Sequence, residues 1–168
     1  MKQTIYLLLI SFFIFGISCT GDDECRKDKY VKMGVGFYSR TLNVTTNKYT
    51  ISTLSIDSLS IQGIETTGML KDTFIYKKSK KISKIYLPLN KFVDVSRFKV
   101  EFNNTIDTVT IAHTNSEMYL SLECGCLKVH SIDTVLTTKH FIDSVSIKIH
   151  NVNNINAEHL QIYNKPNS

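Results

Sequence analysis

The sequence predicts an all-β protein built as an antiparallel β-sandwich, with a flattened β-barrel as the alternative. Apolar and polar residues alternate over short segments, beginning with Val31, Met33, Val35 and Phe37. Alternation with a period of two is typical of strands that bury one face. No segment carries the apolar spacing of a helix, and the segments are rich in β-branched residues. Two sheets packed face to face are therefore the expected way to bury these apolar faces.

The same alternation recurs along the chain and predicts roughly eight strands. Pro88 is expected on an edge strand, because proline cannot donate to a central ladder. The apolar positions change phase between residues 54–56 and 59–61, which predicts a bend or bulge at residues 57–58. The basic run 77–84 is expected to form a solvated hairpin tip. The remaining alternating positions are Ile85/Leu87/Leu89, Phe98/Val100/Phe102, Val109/Ile111, Met118/Leu120/Leu122, Val145/Ile147/Ile149 and Leu160/Ile162.

The first residues predict export and attachment to a membrane. Lys2 precedes an apolar run that is too short to span a bilayer comfortably and is followed by small residues. Residues 1–18 are therefore predicted to be a cleaved signal peptide. Gly16 and Ser18 precede Cys19 in a way that resembles the lipobox of bacterial lipoproteins, which implies a lipidated N-terminus at Cys19. The alternative is a secreted protein in which Cys19 pairs with another thiol.

The rest of the chain is divided into a tether, one domain and a tail. Residues 19–28 are predicted to be an acidic tether, residues 29–164 a single β-domain and residues 165–168 a C-terminal tail. The acidic cluster 22–24 resembles a surface-export signal of Bacteroidota lipoproteins, and Thr20 after the cysteine fits passage to the outer membrane. Periplasmic and surface locations both stay open. The formal charge of +5 is too small to indicate a nucleic acid partner.

Three further cysteines bear on the fold in an oxidising envelope. Cys25 can pair with either Cys124 or Cys126, and we predict a Cys25–Cys124 disulfide with Cys126 buried as a small apolar side chain. In the chain-entropy picture, closing such a long loop stabilises the fold by roughly 4 to 5 kcal/mol. A redox or metal-binding role for the Cys-Gly-Cys segment is the alternative, but paired ligands and a helix start are lacking.

Two histidines near the C-terminus form the only metal candidate. If Ile149 lies opposite Leu160, then His150 lies opposite His159 on the outer face of the sheet. Two imidazoles alone do not complete a transition-metal site, because such sites need further ligands. The prediction is therefore an exposed pair without metal, and no cofactor is expected.

An Asp-Ser/Thr-aliphatic sequence recurs four times. It resembles the acceptor sequence for periplasmic O-glycosylation in Bacteroidota, which would place sugar on Ser58, Thr108, Thr134 and Ser144. The alternative is structural, since aspartate favours turns and a β-branched or aliphatic residue opens a strand. Both interpretations stay open.

The order of several short segments resembles a family of uncharacterised Bacteroidota lipoproteins with no assigned molecular function. The resemblance covers residues 25–163, and the family's early cysteine and Cys-Gly cysteine agree with the Cys25–Cys124 pairing, whereas Cys126 is a departure. No catalytic residues follow from it. The segments are Cys25, residues 31–37, Tyr86-Leu87-Pro88-Leu89-Asn90, Asp107-Thr108-Val109-Thr110-Ile111, Tyr119-Leu120-Ser121, Cys124-Gly125 and His159-Leu160-Gln161-Ile162-Tyr163.

These observations favour a non-catalytic function. No Gly-x-Ser-x-Gly elbow, His-Glu-x-x-His, P-loop or dinucleotide fingerprint is present in the sequence. We therefore expect a membrane-anchored binding or accessory domain at the outer membrane, with an envelope or extracellular protein or glycan as partner. The alternative is a hydrolase acting on envelope glycan or peptide, which would need a concave pocket with converging titratable groups.

Overall fold

The computed structural model describes residues 31–122 and 124–165, and these fold into eleven strands in two sheets. The β-sandwich prediction is confirmed, and the sheets do not close into the alternative barrel. The described part of the chain contains three more strands than the roughly eight predicted, because residues 48–53, 70–79, 125–137 and 151–152 form strands outside the alternating segments. The strands are β1 (Met33–Asn43), β2 (Lys48–Thr53), β3 (Leu59–Ile64), β4 (Leu70–Ser79), β5 (Lys84–Leu87), β6 (Val95–Phe102), β7 (Thr105–Ser121), β8 (Gly125–Thr137), β9 (Ile142–Ile147), β10 (Asn151–Val152) and β11 (Glu158–Asn164).

The first sheet has the strand order β2-β1-β11-β9, with β5 also paired to β1. Residues 33–36 of β1 pair with β5, and residues 38–43 pair with β2. β1 and β11 run parallel, so this sheet is mixed where an antiparallel one was predicted. The two strands are far apart in sequence, so no tight hairpin forces them to run in opposite directions.

The second sheet has the order β10-β8-β7-β6-β3-β4 and is antiparallel throughout. The internal strands β3 and β6 pair on both edges, so their backbone groups are used within the sheet. β4 is an outer strand whose pairing with β3 shifts register three times. This irregular edge borders the candidate site described below.

The core lies between the two sheets, and the predicted alternation accounts for much of it. The side chains of Met33, Val35 and Phe37 are buried, as are the predicted inward positions of β5, β6 and β11. Phe37 meets Phe102 edge-on at a ring-centroid distance of 5.7 Å, and Phe102 stacks on Phe141 at 4.4 Å. Such aromatic pairs stabilise the fold beyond the area they bury. Leu122 was predicted to face inward but is 96% exposed, because it lies in the turn after β7.

Two connections cross from one sheet to the other at positions where the sequence predicted local features. The predicted bend at residues 57–58 is confirmed, and it lies in the connection between β2 of the first sheet and β3 of the second. The basic run 77–84 joins β4 to β5, which lie in different sheets, so the prediction of a hairpin tip is wrong. An antiparallel bridge between Ile56 and Ile82 joins the two crossings. The Ile56 N–H donates to the Ile82 carbonyl oxygen at 2.8 Å, and the Ile82 N–H donates to the Ile56 carbonyl oxygen at 3.0 Å. These bonds satisfy backbone groups that have no partner in a regular ladder.

Candidate functional site

A cleft of about 690 Å³ opens beside the second sheet. Its floor is formed by residues 63–64 of β3 and residues 95–98 of β6, and Lys71 of β4 contributes one side. The loop that follows β5, residues 88–93, forms the opposite wall. The volume lies in the range of ligand sites, roughly 300–1,000 Å³. The cleft is therefore the concave feature on which a binding function can rest.

The wall of the cleft is a loop held in one conformation by hydrogen bonds. Asn90 Oδ1 accepts from the backbone N–H groups of Phe92 and Val93 at 3.0 and 3.3 Å, an Asx turn. The Asn90 N–H donates to Ser96 Oγ at 2.8 Å, and Asn115 Nδ2 donates to the Val93 carbonyl oxygen at 3.2 Å. Phe92 is nevertheless 93% exposed. The loop thus holds an aromatic ring in water at the mouth of the cleft.

A buried polar network supports this loop from below. Ser96 Oγ and His113 Nε2 are hydrogen-bonded at 2.9 Å. His130 Nδ1 donates to Asn115 Oδ1 at 2.6 Å, and the His113 and His130 rings meet edge-on at 5.1 Å. Because Ser96 and Asn115 also bind the loop, the two histidines indirectly fix its position.

Burial keeps both histidines neutral. It lowers the pKa of His113, although Asn115 and the carboxylates of Asp94 and Asp133 act in the opposite direction. Burial, His113 and Lys91 together lower the pKa of His130 to about 4. Desolvation disfavours the imidazolium form, and a second positive charge nearby adds to that effect. At neutral pH the network therefore carries no charge of its own.

The mouth of the cleft is basic. Lys71, Lys91 and Arg97 line it together with a single carboxylate, Glu65. All four are exposed, and among the described residues none of them forms an ion pair within 4.0 Å. The alkyl chain of Lys71 runs past Gly63, where an added Cβ would lie 3.2 Å from Lys71 Cδ. The missing side chain at Gly63 leaves room for Lys71 along the floor.

The Ser96–His113 pair is the arrangement closest to a catalytic one. A serine hydrogen-bonded to a histidine is the geometry of an activated nucleophile. Ser96 is only 5% exposed, however, and its Oγ already accepts the Asn90 N–H. His113 Nδ1 has no hydrogen-bond partner in the described structure, so no acid orients the ring there. The geometry fits a structural support better than a nucleophile.

The predicted cross-strand histidine pair is not formed, because the register of β9 and β11 differs by two residues from the prediction. Leu160 lies opposite Ile147, where Ile149 was expected. His159 is fully buried and its Nδ1 accepts the Gly34 N–H at 3.0 Å, while His150 Nδ1 donates to the Ile132 carbonyl oxygen at 2.6 Å in the other sheet. A shift between Gly34 and Val35 in the β1–β11 ladder skips His159, which turns inward. Burial lowers its pKa.

The four predicted O-glycosylation acceptors have different surroundings. Thr134 is exposed, whereas Ser58, Thr108 and Ser144 are half-buried. Next to Thr108, the fully buried Asp107 accepts hydrogen bonds from Thr138 Oγ1 and from three backbone N–H groups, at 2.6–2.9 Å. Asp107, the aspartate of the Asp107-Thr108-Val109 segment, therefore has a structural role.

Two of the four cysteines, Cys124 and Cys126, lie among the described residues. Cys19 and Cys25 lie outside the described residues, so lipidation and the Cys25–Cys124 bond stay predictions. Cys124 is disulfide-bonded. Cys126 is a free, exposed thiol, so the prediction that it is buried is wrong. It pairs with exposed Tyr119 on the outer face, while the next residue, Leu127, points into the core.

Residues 31–122 and 124–165 contain no helix that is long and apolar enough to cross a membrane. Within the same residues, no group of three or more His, Cys, Asp or Glu side chains could hold a metal ion.

The cleft residues were missed by the sequence analysis. Phe92 lies between strands and breaks no alternation, and Lys71, Lys91 and Arg97 are isolated basic residues in the sequence. The available signal was Asn90, two residues before an apolar Phe92 in a turn segment. That signal indicates the turn, but only the fold brings the three cations around it.

The described chain is thus a two-sheet β-sandwich with a basic cleft whose wall presents an exposed aromatic ring. Residues 58–164 match the model of DUF6452, a family of unknown function. Because the match covers more than half of the chain, the protein belongs to this family. No curated protein and no solved structure matches.

Proposed function

We propose that the protein is a lipid-anchored lipoprotein of the outer membrane whose β-sandwich binds an envelope or extracellular ligand without catalysing a reaction. The anchoring half of the proposal is supported by the apolar run 5–15 and by Cys19 behind small residues, in the pattern of Bacteroidota lipoproteins. The binding half rests on one observation, a fixed loop that presents Phe92 beside the basic mouth of a cleft. Exposed aromatic residues on ordered loops are typical of recognition surfaces.

Metabolic labelling with an alkyne fatty acid tests the anchor. We expect the wild-type chain to be labelled and to sediment with the membranes, because several acyl chains hold a protein firmly in a bilayer. Cys19→Ala should abolish both labelling and sedimentation, and Cys126→Ala is the matched control. An unlabelled wild-type chain would contradict lipidation. Protease treatment of intact cells then distinguishes surface display from a periplasmic location.

Photo-crosslinking from the loop tests ligand binding in cells. A benzophenone amino acid at position 92 should give a defined adduct, whereas the same group at the equally exposed Leu122 should not. Comparing the two positions controls for general surface reactivity. Equal crosslinking at both positions, or none at position 92, would contradict binding at this cleft.

A hydrolase is the second candidate, and it rests on the 2.9 Å hydrogen bond between Ser96 Oγ and His113 Nε2. A fluorophosphonate probe labels activated serines, and we expect no labelling of the wild-type protein. Labelling that is lost in Ser96→Ala but retained in Ser60→Ala would favour the hydrolase.

Thr134 is the proposed O-glycosylation acceptor, since it is the exposed one of the four hydroxyl residues. Intact mass of protein from its native envelope should exceed that of the lipidated polypeptide, and Thr134→Val should remove the excess.

The pairing of Cys25 with Cys124 is likewise proposed, and a non-reduced peptide map should contain the two cysteines in one linked peptide.

A further inference from the structure

We propose that the cleft beside Phe92 recognises an anionic saccharide, with Lys71 and Arg97 binding its acidic group and Phe92 packing on a sugar ring. This inference rests on the proposed binding function of the cleft and names the chemical class of its ligand.

The charge at the mouth of the cleft selects an anion. Three cations and one carboxylate line it, and the cations have no ion-pair partners within 4.0 Å in the described structure. Arginine binds carboxylate or sulfate groups through two parallel hydrogen bonds, and lysine adds a point charge. The His113–His130 network adds no charge at neutral pH, because burial lowers the pKa of both imidazoles. The cleft therefore complements a ligand with one or two acidic groups.

The aromatic ring selects a ligand with an apolar face. Phe92 has no conventional hydrogen-bonding group, and the neighbouring cations disfavour a cationic partner, so its ring is best buried against the C–H surface of a ligand. A pyranose presents such a C–H face on one side and hydroxyl groups at its edge. The hydroxyl groups suit the polar groups of Glu65 and Asn90, which also line the cleft. Because the Asx turn holds the backbone N–H groups of Phe92 and Val93, the backbone of the loop is in place before the ligand arrives, which lowers the entropic cost of binding.

The floor of the cleft argues against an extended peptide. Peptides commonly bind sandwiches by adding a strand to a free sheet edge. The floor is made by β3 and β6, and each of these strands is paired on both sides. The outer strand β4 borders the cleft, but its pairing with β3 shifts register three times, and such an irregular edge is a poor template for strand addition. Recognition there must use side chains, and a compact ring fits that arrangement better than a strand.

Titration calorimetry on the full chain, purified with its N-terminus intact, tests the inference with four probes. These are trigalacturonate, a heparin tetrasaccharide, uncharged maltotriose and pentaglutamate. We expect one of the two anionic saccharides to bind at least about tenfold more tightly than maltotriose and pentaglutamate. The affinity should fall as NaCl rises, because added salt screens exposed charges.

Matched variants localise the site. Arg97→Gln and Lys71→Gln should each weaken saccharide binding about tenfold, and Phe92→Ser should do the same. Lys48→Gln and Leu122→Ser change residues with the same exposure elsewhere and should alter the affinity less than about twofold. Unchanged melting temperatures would show that all five variants are folded.

Failure of the inference is distinct from failure of the proposed function. Absence of binding to both anionic saccharides, or equal binding of pentaglutamate, overturns the saccharide assignment. If position 92 still crosslinks in cells, the binding function stands with another ligand. Saccharide binding that survives all three cleft variants also overturns the inference, because the ligand then binds elsewhere.

Discussion

The buried carboxylate of Asp107 and the cations around the cleft are opposite uses of charge in one small fold. Asp107 is fully buried, and its two carboxylate oxygens accept hydrogen bonds from four donors. Lys71, Lys91 and Arg97 are exposed and have no ion-pair partner within 4.0 Å among the described residues. A satisfied buried charge organises the chain around it, whereas an unpaired exposed charge is available to a ligand. Asp107 therefore stabilises the fold, whereas the cations around the cleft are available to bind a ligand.

The histidine network lies between these two regions. His113 and His130 are buried as Asp107 is, yet they fix the loop that carries Phe92. Their neutrality keeps the interior free of charge repulsion and leaves the basic mouth of the cleft to the lysines and the arginine.

Asp107→Ala should lower the free energy of unfolding by about 4 kcal/mol, because it leaves three backbone N–H groups without their acceptor. Urea denaturation measures the change. Asp107→Asn keeps the shape and one acceptor oxygen and should cost about half as much. A loss below about 1 kcal/mol for the alanine variant would contradict the structural role of this carboxylate.

Gly34→Ala should destabilise the protein by about 3 kcal/mol, since its Cβ would overlap the backbone carbonyl oxygen of Ala157. Gly36→Ala is the matched control. Its Cβ would meet the side chains of Glu158 and Tyr38, which can move aside, so the same denaturation experiment should show a smaller loss. Equal losses would mean that the close approach of β1 to β11 is not rigid.

Acidification from pH 7.5 to 5 should lower the stability by about 1 to 2 kcal/mol through His130. Its folded pKa of about 4 lies below its ordinary value of 6.5, so on acidification the unfolded chain takes up a proton first. The contribution of His130 is therefore present above pH 6.5 and is lost progressively as the pH falls from 6.5 to the folded pKa of about 4. His113 and His159, whose pKa values are also lowered by burial, act in the same direction.

The variant His130→Asn should show a flatter dependence of unfolding free energy on pH than the wild type. His150→Asn, which replaces an exposed histidine outside the His113–His130 pair, is the matched control variant. Asp107 also contributes to the pH dependence of stability, but at lower pH than the histidines. Burial alone would raise its pKa, but hydrogen bonds from His140, Thr138, Ile142 and Phe141 lower it, so its stabilisation is lost below its ordinary value of 3.8.

Phe92→Ser should change the free energy of unfolding by less than about 0.5 kcal/mol, because its side chain is almost fully exposed. Thermal denaturation checks this. The buried Phe98→Ser, on the neighbouring strand β6, should by contrast be strongly destabilising. A large loss at Phe92 would show that this ring supports the fold, and the contrast between core and cleft would not hold there.

The sequence predicted strands and their inward faces well where the alternation was regular. Met33, Val35 and Phe37 illustrate this, because their exposure depends only on a local period of two. The prediction failed for Leu122 and Cys126, because Gly125, the first residue of β8, has a φ of +70° and the alternation changes phase there. It also failed for the register of β9 and β11, because a shift by two residues preserves the alternation and changes only the partners.

Patterns along the chain are enough to predict the sandwich class, the family and most of the side chains that face the core. The folded chain alone shows the parallel pairing of β1 with β11, the inward turn of His159 and the assembly of the cleft from β3, β4, β6 and the loop 88–93. These features join residues that are distant in sequence. A local hydrophobic period gives no information about which distant strands will pair, or which isolated cations they will bring together.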